Sequence, residues 1–317
     1  MPKPSVIAIV VTWNGRRDTL ECLESLRQSN YPRLQVILVD NGSTDGTPDA
    51  ARESYPETIV IKNNENLLFS KGVNIGLSCG CEMGGDYFFL INSDATVHTD
   101  CVPNLVDSLE REHDTGLSGP KIFYAGTRTI WSAGGRVRLW AGMTSHIGIR
   151  QADSQKYSRK AFVDYLTACA LMIRREVIGK VGMLDDRYSI YGEDADFSLR
   201  AREAGYTLLF VPEAIAWHKV SSSSGGGLTP FKAYNRGKSG IFLFRKYAKW
   251  YHFLTAPVFG LLGLVAFSLK NLTPGNARNV HALWKGVFSG IRAALKPGHG
   301  LKEDHETCHW WSSRNRF

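Results

Sequence analysis

Two sets of residues in the 317-residue chain are of types able to move protons or hold cations. In the first, Leu184-Asp185-Asp186 and Tyr191-Gly192-Glu193-Asp194-Ala195-Asp196 place five carboxylates within twelve residues. Acidic residues at a helix start complement the helix dipole, which accounts for one or two of these groups but not readily for all five. The second set is a series of polar strings: Thr12-Trp13-Asn14-Gly15, Asp40-Asn41-Gly42-Ser43-Thr44-Asp45-Gly46, Asn63-Asn64-Glu65-Asn66 and Asn92-Ser93-Asp94. Asn, Gly, Ser and Asp are good turn formers, reason enough for any one string. Four in succession, each following an apolar run, point to a nucleotide pocket. No GxGxxG follows the first run and no GxxxxGK[ST] occurs, so a glycine-rich phosphate loop has no support. A carboxylate-held divalent cation is the other common way to bind a diphosphate. His218 ends a later apolar run; taken alone, a histidine there is ordinarily a surface or core residue.

The apolar runs predict the elements that position these groups. Residues 6–11, 35–39, 58–61 and 87–91 read as short β-branched or aromatic strands. Between the first two, Leu20, Leu23 and Leu26 recur at helical spacing after Asp18, which with Glu21 forms an expected capping box. Strands alternating with helices imply an α/β fold with a doubly wound sheet, whose ligands bind beyond the carboxyl ends of the strands. Further on, a short helix is expected to close at Gly205, and residues 207–211 and 214–217 read as two strands separated by Pro212.

Composition narrows the classes. Six scattered cysteines without a CxxC pair read as buried small hydrophobes in a reducing compartment, against redox or zinc chemistry. The net charge of +8 averages two unlike parts: from Lys219 onward there are 15 basic and 3 acidic residues, whereas residues 1–218 carry 23 basic and 27 acidic. A mildly acidic body with a basic, aromatic tail argues against nucleic acid and for a catalytic domain resting on an anionic membrane surface. The short apolar run at residues 6–11 is no signal peptide, so a cytoplasmic location is expected. Residues 250–269 lack formal charge, but Pro257, Gly260 and Gly263 are expected to interrupt them and both flanks are basic. A dipping or surface-lying segment fits better than one crossing. Val280, Leu283, Trp284, Val287, Phe288, Ile291 and Leu295 share a helical face beside Arg278, Lys285, Arg292 and Lys296, as in an interfacial helix. A helical hairpin covering the catalytic domain is the competing reading. Residues 299–317 show no periodicity.

The string Ile9-Val10-Val11-Thr12-Trp13-Asn14, the turn from Val39 to Thr47, Glu65-Asn66 reaching Gly72 and Asn74, and Leu90-Ile91-Asn92-Ser93-Asp94 resemble the inverting family 2 glycosyltransferases of GT-A fold. Gly182-Met183-Leu184-Asp185, the string from Tyr191 to Asp196, and Val211-Pro212-Glu213 through Trp217-His218 resemble its rhamnosyltransferase and galactofuranosyltransferase branch. The likeness covers roughly residues 5–225. It implies a GT-A domain at residues 1–224, and the charge and periodicity beyond it read as a basic helical, membrane-associating extension at 225–317.

The resemblance also implies roles. Asp40 contacts a pyrimidine base, with Thr12, Asn14, Asn66 and Asn92 lining the donor pocket. Asp94 and His218 hold a divalent metal, Mg²⁺ or Mn²⁺, that bridges the two phosphates. Asp194 is the catalytic base, with Glu193 and Asp196 next in line. The family's acidic motif carries two or three carboxylates; here Asp94 is the single one, and Ser93 stands where the branch often has proline. Leu67-Leu68-Phe69 departs where a glycine usually precedes the aromatic. The implied donor is a dTDP- or UDP-linked sugar, rhamnose favoured, and the acceptor a saccharide or polyprenyl-linked saccharide at the cytoplasmic membrane face. A glycosidase, which needs no nucleotide pocket, ranks below. A catalytically lapsed saccharide-binding or scaffold protein is the alternative that the reduced acidic motif suggests.

Overall fold

The structure, a computed structural model, describes residues 3–188, 190–220, 228–271, 273 and 275–295. Its elements are β1 (Val6–Thr12), α1 (Arg16–Arg27), β2 (Leu34–Asp40), α2 (Thr47–Ser54), β3 (Ile59–Lys62), α3 (Leu68–Glu82), β4 (Tyr87–Asn92), β5 (Ala95–Val97) and α4 (Cys101–Arg111). There follow β6 (Thr115–Tyr124), β7 (Ile130–Ser132), β8 (Gly135–Arg138), β9 (Met143–His146), β10 (Ala161–Phe162), β11 (Ala170–Arg174), α5 (Arg175–Val181), α6 (Glu193–Glu203) and β12 (Thr207–His218). Three further helices, α7 (Pro230–Tyr247), α8 (Ala256–Asn271) and α9 (Ala277–Leu295), complete the described chain.

The sheet runs β10-β12-β6-β11-β4-β1-β2-β3. Strands β4, β1, β2 and β3 are parallel, β11 lies antiparallel between β4 and β6, and β12 runs parallel to β6. This is the expected α/β class, a doubly wound mixed sheet of GT-A type. Side chains alternate across it because strand periodicity is two. Val6, Ala8 and Val10 pack with Leu23 and Leu26 of α1 and Leu105 of α4. Ile7 and Ile9 face Val73 and Leu77 of α3 and Phe197 of α6.

Several local expectations are corrected. Helix α1 starts at Arg16 behind Gly15 with no side-chain cap, so Asp18 and Glu21 form no capping box. Both instead receive the Lys219 ammonium, Asp18 at 2.6 Å. The strand expected to break at Pro212 is continuous, because its pairing with β6 slips between Val211 and Ile215 and leaves the proline in a bulge. Of the cysteines, five are free thiols, four of them buried; Cys308 lies outside the described residues.

The C-terminal helices also differ from the sequence reading. Trp250–Leu254 forms a 3₁₀ turn, and α8 runs 16 residues through Gly260 and Gly263, with Pro257 accommodated in its first turn where no amide partner is lost. At about 1.5 Å per residue, α8 is shorter than a bilayer core. No described helix is long and apolar enough to cross a membrane. The expected interfacial face of α9 is split: Val280, Leu283 and Val287 are buried, while Phe288, Ile291 and Leu295 remain exposed. A Cβ at Gly286 would lie 2.0 Å from the Tyr234 carbonyl oxygen, so only glycine lets α7 and α9 approach this closely. Lys296 and residues 299–317 lie outside the described residues, as does the expected domain boundary at 224.

Candidate active site

The four polar strings meet at the carboxyl end of the parallel strands. Asn14, at φ 48°, accepts the Thr44 amide at 2.8 Å and donates its own amide to Ser43 Oγ at 2.8 Å, tying the first loop to the second. Asp40 is fully buried; one oxygen accepts the Ser43 amide at 3.0 Å, and Oδ1 has no partner among the described residues. A buried carboxylate oxygen without a donor is costly, and it marks a place for an incoming N–H. The Thr12 hydroxyl is bonded to that of Thr19 at 2.7 Å, which fixes the end of β1 on α1. Asn66 is exposed and its Oδ1 accepts the Leu68 amide at 2.9 Å. Leu68 itself has φ 65°, so the left-handed conformation that glycine would take without strain is kept by a leucine.

Sheet register brings Asp94 and His218 together. Strand β5 pairs antiparallel with the end of β12, His218 opposite Ala95, and His218 Nε2 lies 3.0 Å from Asp94 Oδ1 with both side chains buried. Trp131 meets the imidazole edge-on at 4.5 Å between centroids and also contacts His146 at 4.6 Å. Burial pushes His146 down to about 4, so its ring is neutral. Its Nδ1 lies 3.4 Å from the hydroxyl of buried Tyr165.

The carboxylate cluster divides by partner. Asp185 pairs with Arg187, and Asp186 reaches Lys71 at 4.0 Å. Asp196 is fully enclosed by Arg200 at 2.9 Å, Lys246 at 2.8 Å and the Tyr247 hydroxyl at 2.9 Å, so its lone pairs are committed to holding α6 on α7. Glu193 and Asp194 remain, in the first turn of α6. Its N-cap, Gly192, has φ 91°, and Tyr188 lies 3.1 Å from where a Cβ would stand. Burial first, and then the Asp194 charge, push the Glu193 carboxyl up to about 8; its Oε2 lacks a partner among the described residues.

Asp194 is half-buried, and desolvation raises its pKa although the Ala195 amide, the Thr167 hydroxyl and the Ala168 amide all donate to it. The same segment reaches the other side of the site, where the Cys169 carbonyl accepts the Asn92 amide at 3.0 Å. Both Asp94 and Asp194 act on the buried Cys169 thiol, which burial already holds far above its ordinary pKa. Residues 167–169 therefore stand between the Asp94–His218 pair and Asp194. Trp131, Tyr165 and Thr167 share no motif or periodicity, so the sequence assigns them no role.

Among the described residues no cluster of three or more His, Cys, Asp or Glu side chains could enclose a metal. Asp94 with His218 still fits a divalent cation that takes its remaining ligands from phosphates and water, since a carboxylate in the β4–β5 turn and an imidazole at the end of β12 supply a charge and a nitrogen donor.

A mixed sheet of this order, with the Asp40 loop and the Asp94–His218 pair at the carboxyl ends of its strands and Asp194 in the first turn of α6, has the architecture of the GT-A class. The chain belongs to glycosyl transferase family 2, whose profile matches residues 7–182. It is similar to the N-acetylglucosaminyl-diphospho-decaprenol L-rhamnosyltransferase of Mycobacterium tuberculosis, 28% identical over 263 residues, 77% of this chain and 85% of that protein. It is also similar to glycosyltransferase AglE of Haloferax volcanii, 24% identical over 68% of this chain and 67% of that one. Among solved structures, the mannosyltransferase PcManGT from Pyrobaculum calidifontis in complex with GDP-Man and Mn²⁺ superposes with a TM-score of 0.57 at 15% identity, covering 92% of this chain and 88% of that one. GalNAc-T7 with UDP, GalNAc and Mn²⁺ gives 0.58 at 15% identity over 74% of this chain and 47%, about half, of that one. At this identity both likenesses concern the fold.

Proposed function

We propose that this glycosyltransferase moves a sugar, rhamnose by preference, from a dTDP- or UDP-linked donor to a saccharide or polyprenyl-linked saccharide, with inversion and with a divalent metal. The observation that carries the reading is the placement of Asp194 across residues 167–169 from the Asp94–His218 pair, which separates a proton acceptor from a phosphate site. Asp40 Oδ1 takes the imide N–H of the base, between loops that Asn14 ties together, with Asn66 and Asn92 at the rim. Asp194 accepts the acceptor hydroxyl's proton as that oxygen attacks the anomeric carbon from the face opposite the phosphate. When bound at Asp94 and His218, Mg²⁺ or Mn²⁺ supplies positive charge to the departing diphosphate. Trp131 holds the His218 ring at a fixed angle. The rhamnosyltransferase relative supports the choice of sugar.

A panel of nucleotide sugars with Mg²⁺ or Mn²⁺, scored by nucleoside diphosphate release onto saccharide acceptors, tests the reading. Turnover with dTDP-rhamnose is expected to exceed that with other donors. Nucleotide binding indifferent to metal, with no turnover on any acceptor, would establish the scaffold alternative.

We further propose that the C-terminal region, taken as residues 225–317, serves to rest this site on the cytoplasmic membrane face. The support is a set of exposed apolar side chains, Trp250 at 77%, Leu254, Leu262, Leu269 and Leu295, in a region rich in Lys and Arg. The protein is expected to float with vesicles containing anionic phosphatidylglycerol and to be released by high salt. Remaining in the soluble fraction with both anionic and neutral vesicles would refute the placement.

A further inference from the structure

The chain between β7 and β11 joins the two halves of the site through a row of rings. Trp131 of β7 meets His218 at the phosphate end. Its other ring neighbour, His146, ends β9 and pairs with Gly135 of β8. Gly135 also bridges to Tyr165. The hairpin is pinned there, because the Asp164 carboxylate accepts the Val137 amide at 3.0 Å and the Asp164 amide donates to the Gly135 carbonyl at 3.0 Å. A Cβ on Gly135 would lie 2.0 Å from a Tyr165 ring carbon, so only glycine lets that ring lie against the strand and reach His146. Two residues past Tyr165, the Thr167 hydroxyl and the Ala168 amide donate to Asp194. The rings of His218, Trp131, His146 and Tyr165 therefore follow one another from the phosphate site toward the base, with centroids 4.5, 4.6 and 5.8 Å apart.

His146 stands in the middle of that row and is half-buried. Its Nδ1 is engaged by the Tyr165 hydroxyl at 3.4 Å, and its Nε2 has no hydrogen-bond partner among the described residues. Trp131 on one side and Tyr165 on the other thus set the orientation of the ring and leave one nitrogen for a ligand. In a single displacement the anomeric carbon is bonded to the β-phosphate oxygen on one side and is approached by the acceptor oxygen from the other. The transferred sugar ring then lies between the phosphate site and the base, alongside this row. A sugar hydroxyl both donates and accepts, so it pairs with Nε2 in either tautomer of the imidazole.

We propose that His146 is a specificity-determining residue whose Nε2 hydrogen-bonds one ring hydroxyl of the transferred sugar, with Trp131 and Tyr165 as positioning residues that fix its imidazole. The inference rests on the transferase reading above and deepens it. His146 takes no part in proton transfer; it acts on which sugar is accepted, because a sugar lacking that hydroxyl leaves the nitrogen unpaired.

The experiment measures kcat/KM with the best donor of the nucleotide-sugar panel and with its forms lacking one ring hydroxyl each, for wild type, His146→Phe, His146→Leu and His146→Gln. Calorimetry with UDP and dTDP accompanies it. Thermal melting checks each fold, and the leucine variant stands in if the phenylalanine variant does not fold. In wild type, loss of the contacted hydroxyl is expected to cost roughly tenfold, the size of one hydrogen bond left unmade. In His146→Phe that one penalty should vanish, while the penalties for the other hydroxyls and the affinity for UDP and dTDP stay unchanged. Glutamine, whose amide reaches the place of Nε2, should restore much of the discrimination. If no hydroxyl matters in wild type, or if the apolar variants lose activity by the same factor with every donor, the assignment of His146 is overturned and the transferase reading stands. No turnover by wild type with any nucleotide sugar overturns both.

Discussion

Replacing Asp194 by asparagine should lower transfer at least about a hundredfold, the range that a positioned general base contributes, while nucleoside diphosphate binding stays near wild type. The amide preserves the shape and the contacts to the Ala195 amide and the Thr167 hydroxyl but cannot accept a proton. Because burial raises the Asp194 pKa and the base acts only when ionised, the wild-type rate should fall as pH drops through a value above the ordinary aspartate range. The asparagine variant should lose that acid limb. Glu193→Gln provides the contrast: burial holds Glu193 largely protonated at neutral pH, so a neutral amide there should leave transfer within several-fold of wild type. Near-normal turnover by Asp194→Asn, or a collapse of Glu193→Gln to the same level, moves the base to Glu193; Asp196 is committed to Arg200 and Lys246.

The second large effect belongs to the phosphate site. Asp94→Ala should weaken metal-dependent donor binding by more than the roughly 10- to 100-fold typical of losing an outer-shell partner, since Asp94 brings the charge. His218→Ala should produce a smaller loss in the same direction, and the two together should be less than additive because the two side chains lie 3.0 Å apart. Titration of UDP and dTDP at several Mn²⁺ concentrations reads this directly. An unaltered metal requirement in His218→Ala would make His218 a phosphate or acceptor contact instead.

Much of the site was legible because its signals are local. Apolar runs that each end in a polar string announce parallel strands with ligand loops at one edge, and that pattern needs no knowledge of how distant segments meet. Asp40, Asp94 and Asp194 could thus be named as candidates from their positions at strand or helix ends. The same local rules failed where a distant partner competed: Lys219 draws Asp18 and Glu21 away from a capping role, and pairing to β6 carries β12 past Pro212. The apolar face of α9 read as a single interfacial stripe because periodicity reports which side is apolar, not what covers it; α7 covers part of it.

By itself the sequence determined the α/β class, the order of the ligand loops and the residue types at the candidate site, because hydrophobic periodicity and turn chemistry act over a few residues. Tertiary structure alone decided which of five neighbouring carboxylates are tied up by cations and which are left at a helix start, and that residues 167–169 stand between the two halves of the site. It alone packed α7 against the N-cap of α6, beside Asp194. These depend on strand register and on contacts between segments tens of residues apart, and no short window of sequence encodes a register.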